Sequence, residues 1–245
     1  MKLTLNQIAA HLEALEETII FQLMARAQYK QNLSVYQPGK SGFSGFDNSS
    51  LLDLRILKEE EMDSQFGRFT VPEERPFNKD LPKVVRVFDR PPCEIPLKDF
   101  DEVNLTAKIK EGYTSFIPFI CQEGDDHNYG SSVEYDMKSL RAISERIHYG
   151  SMYVAERKFQ DNPKEYIRSI IEKDTVGLLI KLTRKKVEEN ILVRVYEKSV
   201  RYQEGINPSI RHRIDPNIIK NIYETFIIPC TKAGEIRYLL SRGIN

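Results

Sequence analysis

Most of the short motifs that announce a chemistry are missing from this 245-residue chain. Its three cysteines, Cys93, Cys121 and Cys230, are scattered without paired spacing. That argues against a disulfide scaffold and for the reducing cytosol. The four histidines, His11, His127, His148 and His212, each stand without a second Cys or His at ligand spacing, so no metal site is expected. There is no GxGxxG, no P-loop and no GxSxG, the signatures of dinucleotide binding, nucleotide triphosphate binding and the serine-hydrolase elbow. The longest apolar runs, TIIF and TFIIPC, are far too short to cross a bilayer, and MKLTLNQIAAHLEALEE has no signal-peptide core. Asn32, Asn48 and Asn104 open glycosylation-type tripeptides that carry no weight without a secretion signal. Lys+Arg and Asp+Glu both number 36, so no broad basic field exists to hold a nucleic acid. An anionic ligand must meet a local cluster of cations instead.

What the chain does have is helical periodicity. Hydrophobic residues at 40% and charged residues at 29% are ordinary for a soluble globular protein. Ile8, Leu12, Leu15 and Ile19 mark one face of a helix running to about Tyr29. QPGKSGFSGFDNSS reads as a loop and LLDLRILKEEEMDSQFG as a second helix. Six prolines between Val71 and Leu97 (Pro72, Pro76, Pro82, Pro91, Pro92, Pro96) predict an extended connection or short turns, and Asp99 to Phe119 reads as helix. Ser131 and Glu134 have the spacing of a capping box, with Val133, Met137, Leu140, Ile143 and Ile147 following at helical intervals. Asn162-Pro163 and Asp215-Pro216 are cap-plus-proline starts, the second launching a final helix interrupted by Pro229. Asp174 starts a helix carrying Val176, Ile180, Val187, Ile191 and Val195. No segment alternates with period two, so the expectation is an all-α protein forming one domain over residues 1–245.

One stretch is unusual. RIHYGSMYVAERKFQD, Arg146 to Asp161, sets an arginine and a lysine in a run built for burial, around a glycine. Together with EETIIFQLMARAQY, NYGSSVEYDMKSLRAISERIHYG, VEENIL and IIPCTKAGEIRYLL, it resembles the eukaryotic-type chorismate mutases, the all-helical AroQ class of fungi and plants. The match runs in order from about residue 5 to 242. The resemblance implies a cytoplasmic homodimer that isomerises chorismate to prephenate in aromatic amino acid biosynthesis, the shikimate route to phenylalanine and tyrosine. That reaction is an intramolecular Claisen rearrangement and calls for no nucleophile, metal or cofactor. Its needs are cations for two carboxylates, which hold the reactive conformer, and donors for the ether oxygen on which negative charge grows.

Carried over by residue, the resemblance implies that Arg146 binds a carboxylate and Lys158 contacts a carboxylate and the ether oxygen. Glu188 would reach the ring hydroxyl, Thr231 a carboxylate, and Glu235 the ether oxygen. Glu235 donates a hydrogen bond only when protonated, which calls for an acid-shifted activity or a raised pKa. Two positions depart from the family. Its arginine near the start of the first helix is Ala9 here, and the chain has no arginine before Arg26. Its asparagine one turn before the glutamate is Arg184, four residues from Glu188, where it is a candidate to bind substrate in the missing arginine's stead. Family members also bind tyrosine or tryptophan at the dimer interface, and the matching effector residues are Arg68, Gly130 and Ser131, with one of the family's two arginines replaced by Gly67.

Plainer readings stand beside these. Arg146 and Lys158 could snorkel from a half-solvated helix, Arg184–Glu188 could be a solvated pair, and Thr231 and Ser131 could do no more than cap helices. The whole chain could be a dimer of this fold that binds an aromatic amino acid without turnover, Ala9 being the lesion. Spacing offers one test. Arg146 and Lys158 are twelve residues apart, where the family has eleven; in a regular helix they would diverge by roughly 120°. A π-bulge between Tyr149 and Tyr153, hosted by Gly150, would bring them back to one side. In an unbroken helix Arg157 would take the lysine's place.

Overall fold

The structure of the protein is a computed structural model that describes residues 3–86 and 95–244. Pro91, Pro92 and Cys93 lie outside the described residues. Every regular element among the described residues is a helix. The α-helices are α1 (Leu5–Arg26), α2 (Leu51–Gln65), α3 (Thr106–Ile120), α4 (Tyr129–Tyr149), α5 (Ala155–Asp161), α6 (Pro163–Ile171), α7 (Thr175–Leu182), α8 (Lys185–Gln203), α9 (Pro216–Ile222) and α10 (Ile228–Ser241). None is long and apolar enough to cross a membrane.

Two apolar clusters organise the bundle. In the first, Ile19, Ile20 and Leu23 of α1 pack with Tyr113 of α3, Leu140, Ile143 and Ile147 of α4 and Tyr223. In the second, Ile8 packs with Tyr149, Met152 and Phe159, with Tyr166 and Leu178 of α6 and α7, and with Tyr238 and Leu239 of α10. Ile147 belongs to one cluster and Tyr149 to the other, so α4 passes between them just after Arg146. Burying a side chain such as Ile143 or Leu140 contributes about 1.5–3 kcal/mol, which makes this seam a rigid platform.

Three expected helix boundaries are corrected. The helix read from Asp99 begins only at Thr106, after a short turn at Phe100–Glu102 and non-helical residues 103–105. Ser131 is not an N-cap: α4 already begins at Tyr129, and Glu134 pairs with Lys138 at 2.5 Å instead of reaching back. The cause is tertiary. Asp126 accepts hydrogen bonds from the Lys30 and Asn128 amides and from Asn32, which fixes the chain early enough for the helix to start sooner. Nor does Asp174 launch one long helix. It caps α7 by accepting from the Gly177 amide at 2.9 Å, but the chain breaks at Thr183 and Arg184 before α8. The Lys158 ammonium donates to the Leu182 carbonyl at 2.9 Å and so takes one of the acceptors left at the end of α7.

The helix from Arg146 to Lys158 contains a π-helical turn, Gly150–Val154, between α4 and α5. It accommodates the twelve-residue spacing. A second π turn, Tyr223–Ile227, precedes α10, where Pro229 cannot donate the amide that a regular helix would need. The first turn presses closely on α10. A Cβ at Gly150 would stand 2.9 Å from Thr231 Cγ2, and one at Gly234 would stand 2.0 Å from Ser151 Oγ. Ser151 Oγ also donates to the Thr231 carbonyl at 3.1 Å.

Candidate active site

This crossing assembles four of the expected residues. Arg146, at the end of α4, is 2% exposed, and its guanidinium lies 5.3 Å from the centre of the Tyr223 ring. Its Nη1 donates to Thr231 Oγ1 at 3.4 Å, while its Nε has no hydrogen-bond partner. The Thr231 hydroxyl in turn donates to the Ile227 carbonyl at 2.8 Å, so its oxygen is held toward Arg146. One turn along α10, Glu235 Oε1 lies 3.6 Å from Lys158 Nζ. The π turn therefore sets Arg146 and Lys158 against one face of α10. Arg157 turns away and pairs with Asp161.

The electrostatics of Glu235 suit a proton donor. Burial pushes its carboxyl up to about 7, although Lys158 and Lys232 oppose the shift. A carboxylic acid that keeps its proton near neutral pH offers an O–H beside an ammonium.

Glu188, in the first turn of α8, is half-buried; its Oε2 accepts from the Lys232 ammonium at 2.9 Å, and its Oε1 lies 2.7 Å from the same nitrogen as an ion pair. Lys232 follows Thr231 on α10 and acts electrostatically on Glu235, so a continuous set of charges runs from Lys158 to Glu188. Sequence reasoning missed Lys232. Its place three residues before Glu235 was the available signal.

Arg184 sits at the break before α8, exposed, with its Nη1 donating to the carbonyls of Lys181 and Thr183 at 2.9 and 3.4 Å. Its guanidinium stands at the rim of the cluster and forms no ion pair with Glu188, whose partner is Lys232. Ala9 is exposed on α1. His148 is a packing residue: it accepts from the Leu105 amide at 3.0 Å, bonds the Ser144 carbonyl, and burial pushes it down to about 4.

The expected effector residues do not meet within one chain. Arg68 is held by Glu74 through two bonds of 2.7 and 2.9 Å, with Asp63 at 3.9 Å. Asp63 also pairs with Arg141, which lies ten residues along α4 from Ser131, about 15 Å at helical rise. Gly130 and Ser131 occupy the first turn of α4, and a Cβ on Gly130 would meet nothing within 4 Å. Among the described residues no group of three His, Cys, Asp or Glu side chains is arranged to hold a metal ion.

No protein-family model matches the sequence. Individual proteins do. A chorismate mutase of Schizosaccharomyces pombe is 35% identical over 247 residues, covering 98% of this chain and 97% of that protein. Among solved structures, the Aro7p chorismate mutase of Candida albicans in complex with L-Trp superposes with a TM-score of 0.90 at 35% identity, covering 98% of this chain and 92% of the other. AtCM1 with tyrosine bound in its allosteric site gives a TM-score of 0.85 at 36% identity, covering 98% and 96%.

Proposed function

Because the chain belongs to the chorismate mutase family of fungi and plants, we propose that it isomerises chorismate to prephenate in the cytoplasm, as a homodimer. The observation that carries this reading is the unspent donor capacity of Arg146. A guanidinium has five N–H donors, and here a nearly buried one makes a single bond of 3.4 Å. Such a group is costly to bury unless an acceptor arrives.

In the proposed mechanism Arg146 holds one substrate carboxylate, and the Thr231 hydroxyl turns its proton from the Ile227 carbonyl toward it. Lys158 binds the other and leans toward the ether oxygen. Glu235, carrying its proton, donates to that same oxygen as its bond to the ring breaks and charge builds on it. Glu188 accepts the ring hydroxyl. Arg184, at the rim, attracts the incoming dianion. No proton leaves the substrate and no covalent intermediate forms; the residues fix the folded conformer and stabilise the charge that develops. Binding of tyrosine or tryptophan at Arg68, Gly130 and Ser131 belongs to the same reading. Since these do not converge in one chain, the site is proposed to span two subunits.

The test follows chorismate loss and prephenate formation with purified protein. Turnover insensitive to a chelator is expected. No turnover at high protein concentration would overturn the reading in favour of a binding protein of this fold.

A further inference from the structure

The seam between α1 and α8 says what stands opposite Ala9. Glu16, fully buried, is gripped by Arg194 at 2.7 and 2.8 Å. Glu17 lies 3.0 Å from Lys198, and the Phe21 ring meets that of Tyr202 in a tilted contact with centres 6.0 Å apart. Glu16, Glu17 and Phe21 thus meet Arg194, Lys198 and Tyr202 in the same order, so the two helices run in the same direction. Going the other way, Ala9 comes one to two turns before Glu13 and Glu16, on the stripe that faces α8. Two turns before Arg194 and Val195 on α8 is Glu188. The seam thus brings Ala9 opposite the first turn of α8, where Glu188 meets Lys232 from α10 instead of any cation from α1.

We propose that Lys232 is a substrate-contacting residue, supplying from α10 the carboxylate-binding charge that α1 lacks at Ala9. An ammonium has three donors; one is given to Glu188 Oε2, which leaves donor capacity for a substrate carboxylate oxygen. Its side chain is 20% exposed, open enough to receive a ligand and dry enough for the contact to count. The charges also balance. With Glu235 protonated, as its donor role requires, Arg146, Lys158 and Lys232 against Glu188 leave two net positive charges for a dianion. Without Lys232 one charge of the substrate would go unmatched.

This inference rests on the proposed mutase activity, and the experiment separates the two. Parent protein, Lys232→Met, Ala9→Arg and the double variant are assayed for kcat and KM, with Lys232→Gln as substitute should Lys232→Met not fold. Loss of one charge-assisted contact predicts kcat/KM lower by about ten- to a hundredfold in Lys232→Met, mainly through KM. Ala9→Arg in the Lys232→Met background recovers most of that loss, because it restores a cation at the same end of the seam. Unchanged kcat/KM in Lys232→Met overturns the proposal, and so does a loss that Ala9→Arg leaves unrescued, which is what holding Glu188 alone would give. A parent that does not turn over refutes the function. Calorimetric titration with chorismate then decides Lys232: weaker binding by Lys232→Met upholds it, and equal binding or none by the parent overturns it.

Discussion

Two buried arginines in this chain are treated in opposite ways. Arg26 is fully buried and its donors are spent. Its Nε reaches Asp136 Oδ1 at 2.6 Å, and its two Nη groups reach the carbonyls of Lys30 and Gln31 and the Tyr36 hydroxyl, each at 3.0 Å. Asp136 is likewise filled, accepting from Tyr36 and Tyr113 at 2.7 Å each. Arg146, 2% exposed, has a tyrosine face, one long bond and an orphaned Nε. Burial alone therefore does not separate structural from functional cations. The count of unspent donors does.

Removing each arginine is the strongest way to break that distinction. Arg26→Met leaves Asp136 as an uncompensated buried carboxylate and is expected to cost about 3–5 kcal/mol of stability, read by denaturant unfolding. Arg146→Met removes a charge that has no counter-ion, so its unfolding midpoint should stay or rise while kcat/KM falls by about a hundredfold or more. If Arg146→Met unfolds as readily as Arg26→Met, both arginines are scaffolding and the candidate site is wrong.

The same contrast governs what the sequence could reveal. Asp174 and Asp215 mark real helix starts because a cap is a local device, complete within a turn. At α6, which also starts where Asn162-Pro163 predicts, the local device is the proline at its first position, since the Asn162 side chain makes no cap bond. The π turn at Gly150 was legible too, since the twelve-residue interval made a regular helix incompatible with one shared face. Two of the corrected boundaries were not legible, because distant groups set them. Asp126 anchors the start of α4 through Lys30 and Asn32, and Lys158 takes a carbonyl at the end of α7. Within the site, residue identities could be assigned from resemblance, but the Lys232–Glu188 pair joins α8 to α10 across 44 positions and leaves no periodic trace.

Glu235 sharpens the comparison next, as a buried acid against the buried acid Asp136. Burial raises both, but Glu235 has Lys158 at 3.6 Å and the more distant charge of Lys232, against three hydrogen-bond donors on Asp136. The folded chain holds the Glu235 proton up to about 7, whereas its ordinary value is 4.5. The stability this gives is therefore full below the ordinary value and lost as pH rises through the folded one. Activity follows the same proton. Above about pH 7 kcat/KM should fall about tenfold per pH unit, and Glu235→Gln, which keeps a donor at every pH, should flatten the profile from about pH 6 to about pH 8. A profile unchanged by Glu235→Gln would assign the titration to another group.

The smallest effect concerns the proposed effector site, where Arg68 resembles Arg26 more than Arg146. Its fork is already occupied by Glu74, and Asp63 stands close behind. An amino-acid carboxylate arriving at Arg68 must displace Glu74, whose carboxyl burial pushes above its ordinary range. That competition predicts weak binding in the parent. Glu74→Gln frees the guanidinium and should tighten tyrosine or tryptophan binding by about threefold to tenfold, since a neutral amide competes less well for a charge-assisted bond. Ser131→Ala should weaken it by about as much, through loss of a hydroxyl in the first turn of α4 where the helix dipole favours a carboxylate. Calorimetry with each amino acid reads both variants. Heat in Glu74→Gln but not in the parent would identify Glu74 as the internal competitor, and no heat in either would remove the effector site.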